Sequence, residues 1–293
     1  MKPFTEAPLS ISGGPHRLQG LLGRPGEADD PAERGVVFVH GWGGYRIGPH
    51  RILVRTARAL AQHGFATLRF DLRGRGDSDG NATEADLDGM IEDTCSAASA
   101  LRNETGCRRI ALLGICSGAN VAIGAATLDE NIHELVLWSA LPFQPDAGAQ
   151  IKRRRARHHV LGYARKAMRI ETWKRLFRGE VNLNMVAQTI SGDRDDASGR
   201  NLKDSERDLM AAFAGFRGRA LFITGSRDPE GMAGREIFMP FCGRHNINAE
   251  FRLIEGANHS WYEPAHADDV VRQTTDWLLS GTRADSTGEA SSR

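Results

Sequence analysis

The sequence predicts an α/β fold, a mostly parallel sheet covered by helices on both faces and carrying a helical cap insertion. Three observations lead there. Short apolar runs alternate with stretches of helical period from about residue 36 onward, which is the pattern of a parallel sheet wrapped on both sides. Turns rich in glycine follow directly after several of these runs, at the strand ends where such sheets bind ligands. The alternation then breaks from about Leu141 to about Gly215, a stretch with helical patterning and no strand-like run.

The elements follow in order. Leu9 to Gly13 and Arg17 to Leu22 read as an N-terminal strand pair. Val36 to His40 (VVFVH) is a short β-branched and aromatic run, the mark of a buried strand. Ile52 to His63 spaces its apolar residues for one face of a helix. Phe65 to Asp71 is a strand and Thr83 to Asn103 a long helix. Arg109 to Leu113 (RIALL) and Ala119 to Leu128 (ANVAIGAATL) form a strand and a helix of small residues. Glu134 to Trp138, Ala220 to Thr224 and Ala249 to Leu253 complete the strands, and Ala267 to Leu279 is the closing helix. The expected organisation is a core of residues 1–140 and 216–280, a helical cap at 141–215 and a disordered tail at 281–293. The tail is small and polar throughout, with nothing to bury.

The bulk numbers exclude several classes. With 293 residues the chain can form one large domain with an insertion. A net charge of +1 argues against a chain built for nucleic acid. The first ten residues, MKPFTEAPLS, lack the apolar segment of a signal peptide, and no apolar run reaches transmembrane length. The four cysteines show neither metal-ligand spacing nor a disulfide framework. The expected setting is a reducing cytoplasm, with no metal and no other cofactor.

Leu113-Gly114-Ile115-Cys116-Ser117-Gly118 carries the chemistry. It has the form G-x-nucleophile-x-G of a sharp turn between a buried strand and a helix, with cysteine at the tip. The spacing makes Cys116 the nucleophile; Ser117, one place on, contributes its backbone N–H while its side chain points elsewhere. The competing reading is a buried structural cysteine on an ordinary strand-helix turn.

Three further pieces stand at strand ends. His40-Gly41-Trp42-Gly43-Gly44 follows the first buried strand. Its glycines let the backbone turn an N–H toward the elbow, so the Trp42 and Ser117 amides are the expected oxyanion hole. Gly41, Gly43 and Tyr45 are the expected substrate-binding positions. Gly225-Ser226-Arg227-Asp228 follows the ALFIT run, and Asp228 is suited to orient a histidine. It equally suits a helix cap, with Pro229 at the first helical position. Glu230 is a weaker alternative for the acid. Gly256-Ala257-Asn258-His259-Ser260 follows the last strand, where the order nucleophile, acid, base requires the histidine.

With these residues the chain resembles an α/β-hydrolase with a cap, close to the serine aminopeptidase-like branch. Asp71-Leu72-Arg73-Gly74-Arg75-Gly76-Asp77-Ser78-Asp79-Gly80 is similar to that branch's D-x-R-G-x-G-x-S loop, read here as a structural turn. More narrowly, Tyr45 to Arg51, Leu68 to Asp71 and Trp173 to Leu183 resemble the exosortase-system-associated hydrolases of type 1. The resemblance implies an α/β-hydrolase fold and a Cys116–His259–Asp228 triad, since that group also carries cysteine at the elbow.

Cysteine selects among substrates. A thiolate that attacks an ordinary ester makes an intermediate whose better leaving group is the thiolate itself, so collapse runs backwards. Against a thioester or an activated ester the two leaving groups are comparable. The expectation is hydrolysis or acyl transfer through an acyl-thioester enzyme. A carboxylesterase or lactonase with the same residues is the alternative, and a non-catalytic ligand-binding protein of the same fold is another.

Between Ile151 and Arg178 stand eleven Lys or Arg residues and one acid, Glu171. The run Lys152-Arg153-Arg154-Arg155 is densest, and apolar residues recur within the segment at helical spacing. One reading is a solvated basic face. The other is a docking surface for an acidic partner, an acyl carrier protein or coenzyme A, with anionic lipid a further option.

Overall fold

The computed structural model describes residues 3–26, 32–141 and 205–288. Eight strands form one sheet: β1 (Phe4–Gly13), β2 (His16–Pro25), β3 (Arg34–Val39), β4 (Ala66–Phe70), β5 (Arg109–Ile115), β6 (Ile132–Trp138), β7 (Arg219–Gly225) and β8 (Asn248–Ile254). Their order is β1-β2-β4-β3-β5-β6-β7-β8. The first two strands form an antiparallel hairpin, and β2 joins β4 antiparallel. From β4 through β3 to β8 every pairing is parallel.

The period of two in a strand sorts its side chains between two cores. Val36 and Phe38 of β3, Ala111 and Leu113 of β5, and Val136 and Trp138 of β6 face one side. There α1 (Ile52–Gln62) and α6 (Pro264–Gly288) cover them. Val37 and Val39, Ile110 and Leu112, and Leu135 and Leu137 face the other side. That side is covered by α2 (Leu87–Thr105), α3 (Ser117–Ala126), α4 (Leu209–Phe213) and α5 (Pro229–His245). Burial on both faces explains why the parallel strands read as continuous apolar runs. The ordering also sends β3, β5, β7 and β8 to end on the same rim.

Some boundaries differ from expectation. The interval 141–215 lies outside the described residues from 142 to 204, and with it the basic run Lys152-Arg153-Arg154-Arg155. Of its remainder, α4 carries Leu209 and Phe213, both buried in the core, with the Phe213 ring stacked on Phe241. The core therefore resumes before residue 216. The tail expected to be disordered from Gly281 is helical through Gly288. The Arg219 guanidinium anchors the last core turns of α6 at the Trp277 carbonyl (2.9 Å), and extending a formed helix is far easier than nucleating one. The long helix α2 starts at Leu87, not Thr83, because Asp86 caps it by accepting a hydrogen bond from the Gly89 N–H at 2.8 Å.

Candidate active site

The elbow joins β5 to α3. Cys116 stands between them at φ 58°, ψ −126°, a conformation that costs a residue with a side chain. Two glycines make the turn fit. A β-carbon at Gly114 would lie 2.4 Å from the Gly118 carbonyl oxygen, and one at Gly118 would lie 2.4 Å from that of Val39. Helix and strand therefore touch backbone to backbone, and the cysteine is held at the N-terminus of α3, whose dipole favours a thiolate.

The β7 and β8 loops bring the other two groups. They are stitched together by the Gly256 N–H donating to Ser226 Oγ (2.8 Å) and the Arg227 N–H donating to the Ala257 carbonyl (2.9 Å). Asp228 is fully buried, and His259 Nδ1–H donates to its Oδ1 at 2.9 Å. The same oxygen accepts from the Gly231 N–H at 3.1 Å, so Asp228 also caps α5 with Pro229 at the first position. Cap and histidine partner are one carboxylate. The other ring nitrogen, Nε2, is left for the sulfur. Cys116 Sγ, a His259 nitrogen and a Glu230 carboxylate oxygen all lie within 4.8 Å of one another.

The electrostatics separate Cys116 from the other cysteines. Burial opposes its ionisation, but the His259 hydrogen bond and charge, with the Ser117 N–H and hydroxyl, outweigh it and hold the thiol below its ordinary range. Burial alone pushes Cys242 up to about 11, and burial with the Asp129 charge does the same to Cys95. All four cysteines are free. Burial disfavours the charged His259 ring, yet the bonds to Asp228 and Cys116 raise it to about 10. The contact between them thus favours the thiolate on one side and the imidazolium on the other.

The loop after β3 departs from expectation. The Trp42 N–H donates to Ser117 Oγ at 2.7 Å. The Ser117 side chain therefore does not point elsewhere, as the sequence suggests; it accepts the Trp42 amide proton and also hydrogen-bonds the sulfur. Gly41 lies against the nucleophile, its absent β-carbon 3.3 Å from Cys116 Cβ. Gly43 faces open space and Tyr45 is exposed, because the Gly44 N–H closes a turn on the Gly41 carbonyl (2.8 Å) and sends the chain outward. No described contact brings Tyr45 to the triad.

Two residues that sequence reasoning left out brace this loop. Arg75 Nε donates to the Trp42 carbonyl at 2.7 Å, with its guanidinium 5.5 Å from the centre of the Trp42 ring. His40, almost wholly buried, donates from Nδ1 to the Gly41 carbonyl (2.8 Å) and accepts at Nε2 from the Leu72 N–H (3.1 Å). Burial holds its ring neutral, which that pairing requires. The D-x-R-G-x-G loop is thus tied to the loop after β3 through Leu72 and Arg75. Asp71 fixes it from below, accepting from the Arg46 N–H (2.7 Å) and the Asp77 N–H (3.1 Å) and pairing with the Arg46 guanidinium. A cavity of about 940 Å³ opens at the opposite, amino-terminal rim, lined by Arg109, His133, Arg217 and Arg219 among others, and includes none of these residues.

This strand order, with a sharp strand-to-helix elbow on the central strand β5, defines a hydrolase-type scaffold. The chain belongs to the alpha/beta hydrolase family, which its residues 36–273 match. Solved structures share the fold at low identity. A dienelactone hydrolase from Anabaena variabilis is 18% identical over 94% of this chain and 97% of its own, with a TM-score of 0.60. Est1E from Butyrivibrio proteoclasticus, solved with ferulic acid bound, is 18% identical over 93% and 98%, with a TM-score of 0.64. An esterase from Pyrococcus furiosus is 18% identical over 94% and 91%, with a TM-score of 0.63. No curated protein sequence matches the chain. Among the described residues no helix is long and apolar enough to cross a membrane.

Proposed function

We propose that the protein cleaves or transfers an acyl group from a thioester or activated ester through a Cys116–His259–Asp228 triad. The reading is carried by the 2.9 Å contact of His259 with buried Asp228, together with a Cys116 thiol drawn below its ordinary range by that same ring. Cys116 attacks the acyl carbon as a thiolate. The carbonyl oxygen becomes an oxyanion and displaces the Ser117 hydroxyl from the Trp42 N–H, taking the Trp42 and Ser117 amides as donors. The imidazolium gives its proton to the leaving thiol or alcohol, and the acyl group remains on sulfur as a thioester. Neutral His259 then takes a proton from water, or from an acceptor amine or alcohol, whose oxygen or nitrogen attacks and releases Cys116. Asp228 stays ionised throughout and stabilises the imidazolium.

The Anabaena and Pyrococcus relatives are named for ester chemistry, which supports ester or lactone substrates as the second reading. The narrower kinship with the exosortase-associated group rests on the sequence patches alone. The deciding test is an acyl thioester mixed with the protein, quenched in acid and weighed intact. An adduct of the acyl mass on Cys116, absent from Cys116→Ala, is the expected result. No adduct and full turnover by Cys116→Ala would remove the reading, and a Cys116 no more reactive toward iodoacetamide than Cys107 would favour a binding protein.

A further inference from the structure

We propose that Cys116, His259 and Glu230 form a Zn²⁺ site, and that the bound ion holds the thiolate out of chemistry. Glu230 lies in the first turn of α5, two residues beyond the acid of the triad, and its carboxylate joins the sulfur and the imidazole within 4.8 Å. Among the described residues this is the one group of three such ligands so gathered. A tetrahedral Zn²⁺ with bonds of about 2.0–2.3 Å sets its ligand atoms about 3.4–3.7 Å apart, so side-chain rotation of little more than 1 Å closes the triangle.

The donor chemistry selects the ion. Thiolate and imidazole favour a borderline-soft cation over Mg²⁺ or Ca²⁺, and the carboxylate adds a third ligand of a type zinc accepts, with a fourth position open to water. His259 is already oriented for the task. Its Nδ1–H is fixed on the Asp228 carboxylate at 2.9 Å, which is the outer-shell bond that zinc-ligating histidines make and which leaves Nε2 as the ligating nitrogen. Filling the site occupies the sulfur lone pair that would attack. The inference uses residues of the proposed triad but does not depend on their catalysing acyl transfer.

The test uses chelator-stripped protein and metal alone, without substrate. Zn²⁺ is titrated in competition with a chromogenic chelator, and Co²⁺ serves as its optical stand-in. One ion per chain, a sulfur-to-cobalt charge-transfer band lost in Cys116→Ser, and protection of Cys116 from iodoacetamide by Zn²⁺ but not Mg²⁺ are expected. Since outer-shell partners are worth about 10–100-fold, loss of a direct ligand in Glu230→Gln should weaken Zn²⁺ at least about tenfold. Alkylation as fast with Zn²⁺ as without it, or a folded Glu230→Gln that binds as tightly as the native chain, overturns the site. If metal-free protein forms the acyl adduct yet ignores Zn²⁺, only the metal inference fails. If it binds Zn²⁺ but never acylates, only the catalytic reading fails.

Discussion

Ser117→Ala separates the two duties that the structure gives one hydroxyl. Ser117 Oγ accepts from the Trp42 N–H at 2.7 Å, and its proton supports the Cys116 sulfur. Removing it takes a donor from the thiolate. A net loss of about 1 kcal/mol, the middle of the range for one hydrogen bond, lowers the thiolate share about fivefold at pH below the thiol midpoint. The same change frees the Trp42 amide, which in the native chain must first give up the serine oxygen. At pH above the midpoint, acylation should then quicken by roughly two- to tenfold, for a bond worth about 0.5–1.5 kcal/mol. Native and variant acylation profiles therefore cross. Iodoacetamide isolates the first effect, because alkylation develops no oxyanion: its rate should fall about fivefold at low pH and match the native rate at high pH. Single-turnover acylation by an aryl thioester reads both. An alkylation profile superposed on the native one would show that the hydroxyl does not support the sulfur. Acylation depressed equally at every pH would mean that it is an oxyanion donor and not a resting occupant.

Alkylation of native Cys116 should follow thiolate, complete above a midpoint that lies below the ordinary thiol range and lost as pH falls through it; His259→Ala should move that midpoint up, since burial remains and its chief counterweight is gone. A second drift near pH 10, where the raised imidazolium gives up its proton, should vanish in the same variant. Arg75→Ala should lower acylation by roughly tenfold through a loosened Trp42 loop while leaving iodoacetamide reactivity unchanged; equal losses in both would mean a general collapse of the site. Asp93→Ala takes from the Arg73 guanidinium the fully buried carboxylate to which it donates at 2.8–3.1 Å, leaving it the more exposed Glu92 at 3.6 Å. Breaking a buried pair costs about 3–5 kcal/mol, or roughly 6–20 °C of thermal midpoint for a chain of this size, and a drop under about 2 °C would refute the assignment.

The parallel strands were legible because burial on both faces leaves no room for polar alternation: VVFVH, RIALL and ALFIT need no partner to be read. The elbow was legible because its geometry admits only glycine two residues to either side of Cys116. Helix α5 hides for a related reason. It carries Pro240 and three glycines, a composition of low helical propensity. Yet a β-carbon at Gly234 would lie 1.9 Å from the Ala140 carbonyl oxygen, and one at Gly231 would lie 2.3 Å from Asp228 Oδ2. The glycines mark where the helix is pressed against the end of β6 and against the acid, so tertiary contact overrides the local signal. What no pattern carries is the direction of a side chain. Ser117 reads as a bystander by its position and becomes a participant by its rotamer. Arg75 reads as one charge in a turn until the fold brings the Trp42 carbonyl to it. Glu230 stands two places beyond Asp228, and only the fold shows its carboxylate within 4.8 Å of the sulfur and the imidazole. The helix that Asp228 caps also carries Glu230 to within 4.8 Å of the sulfur and the ring, so a change in the first turn of α5 reaches the histidine through both carboxylates.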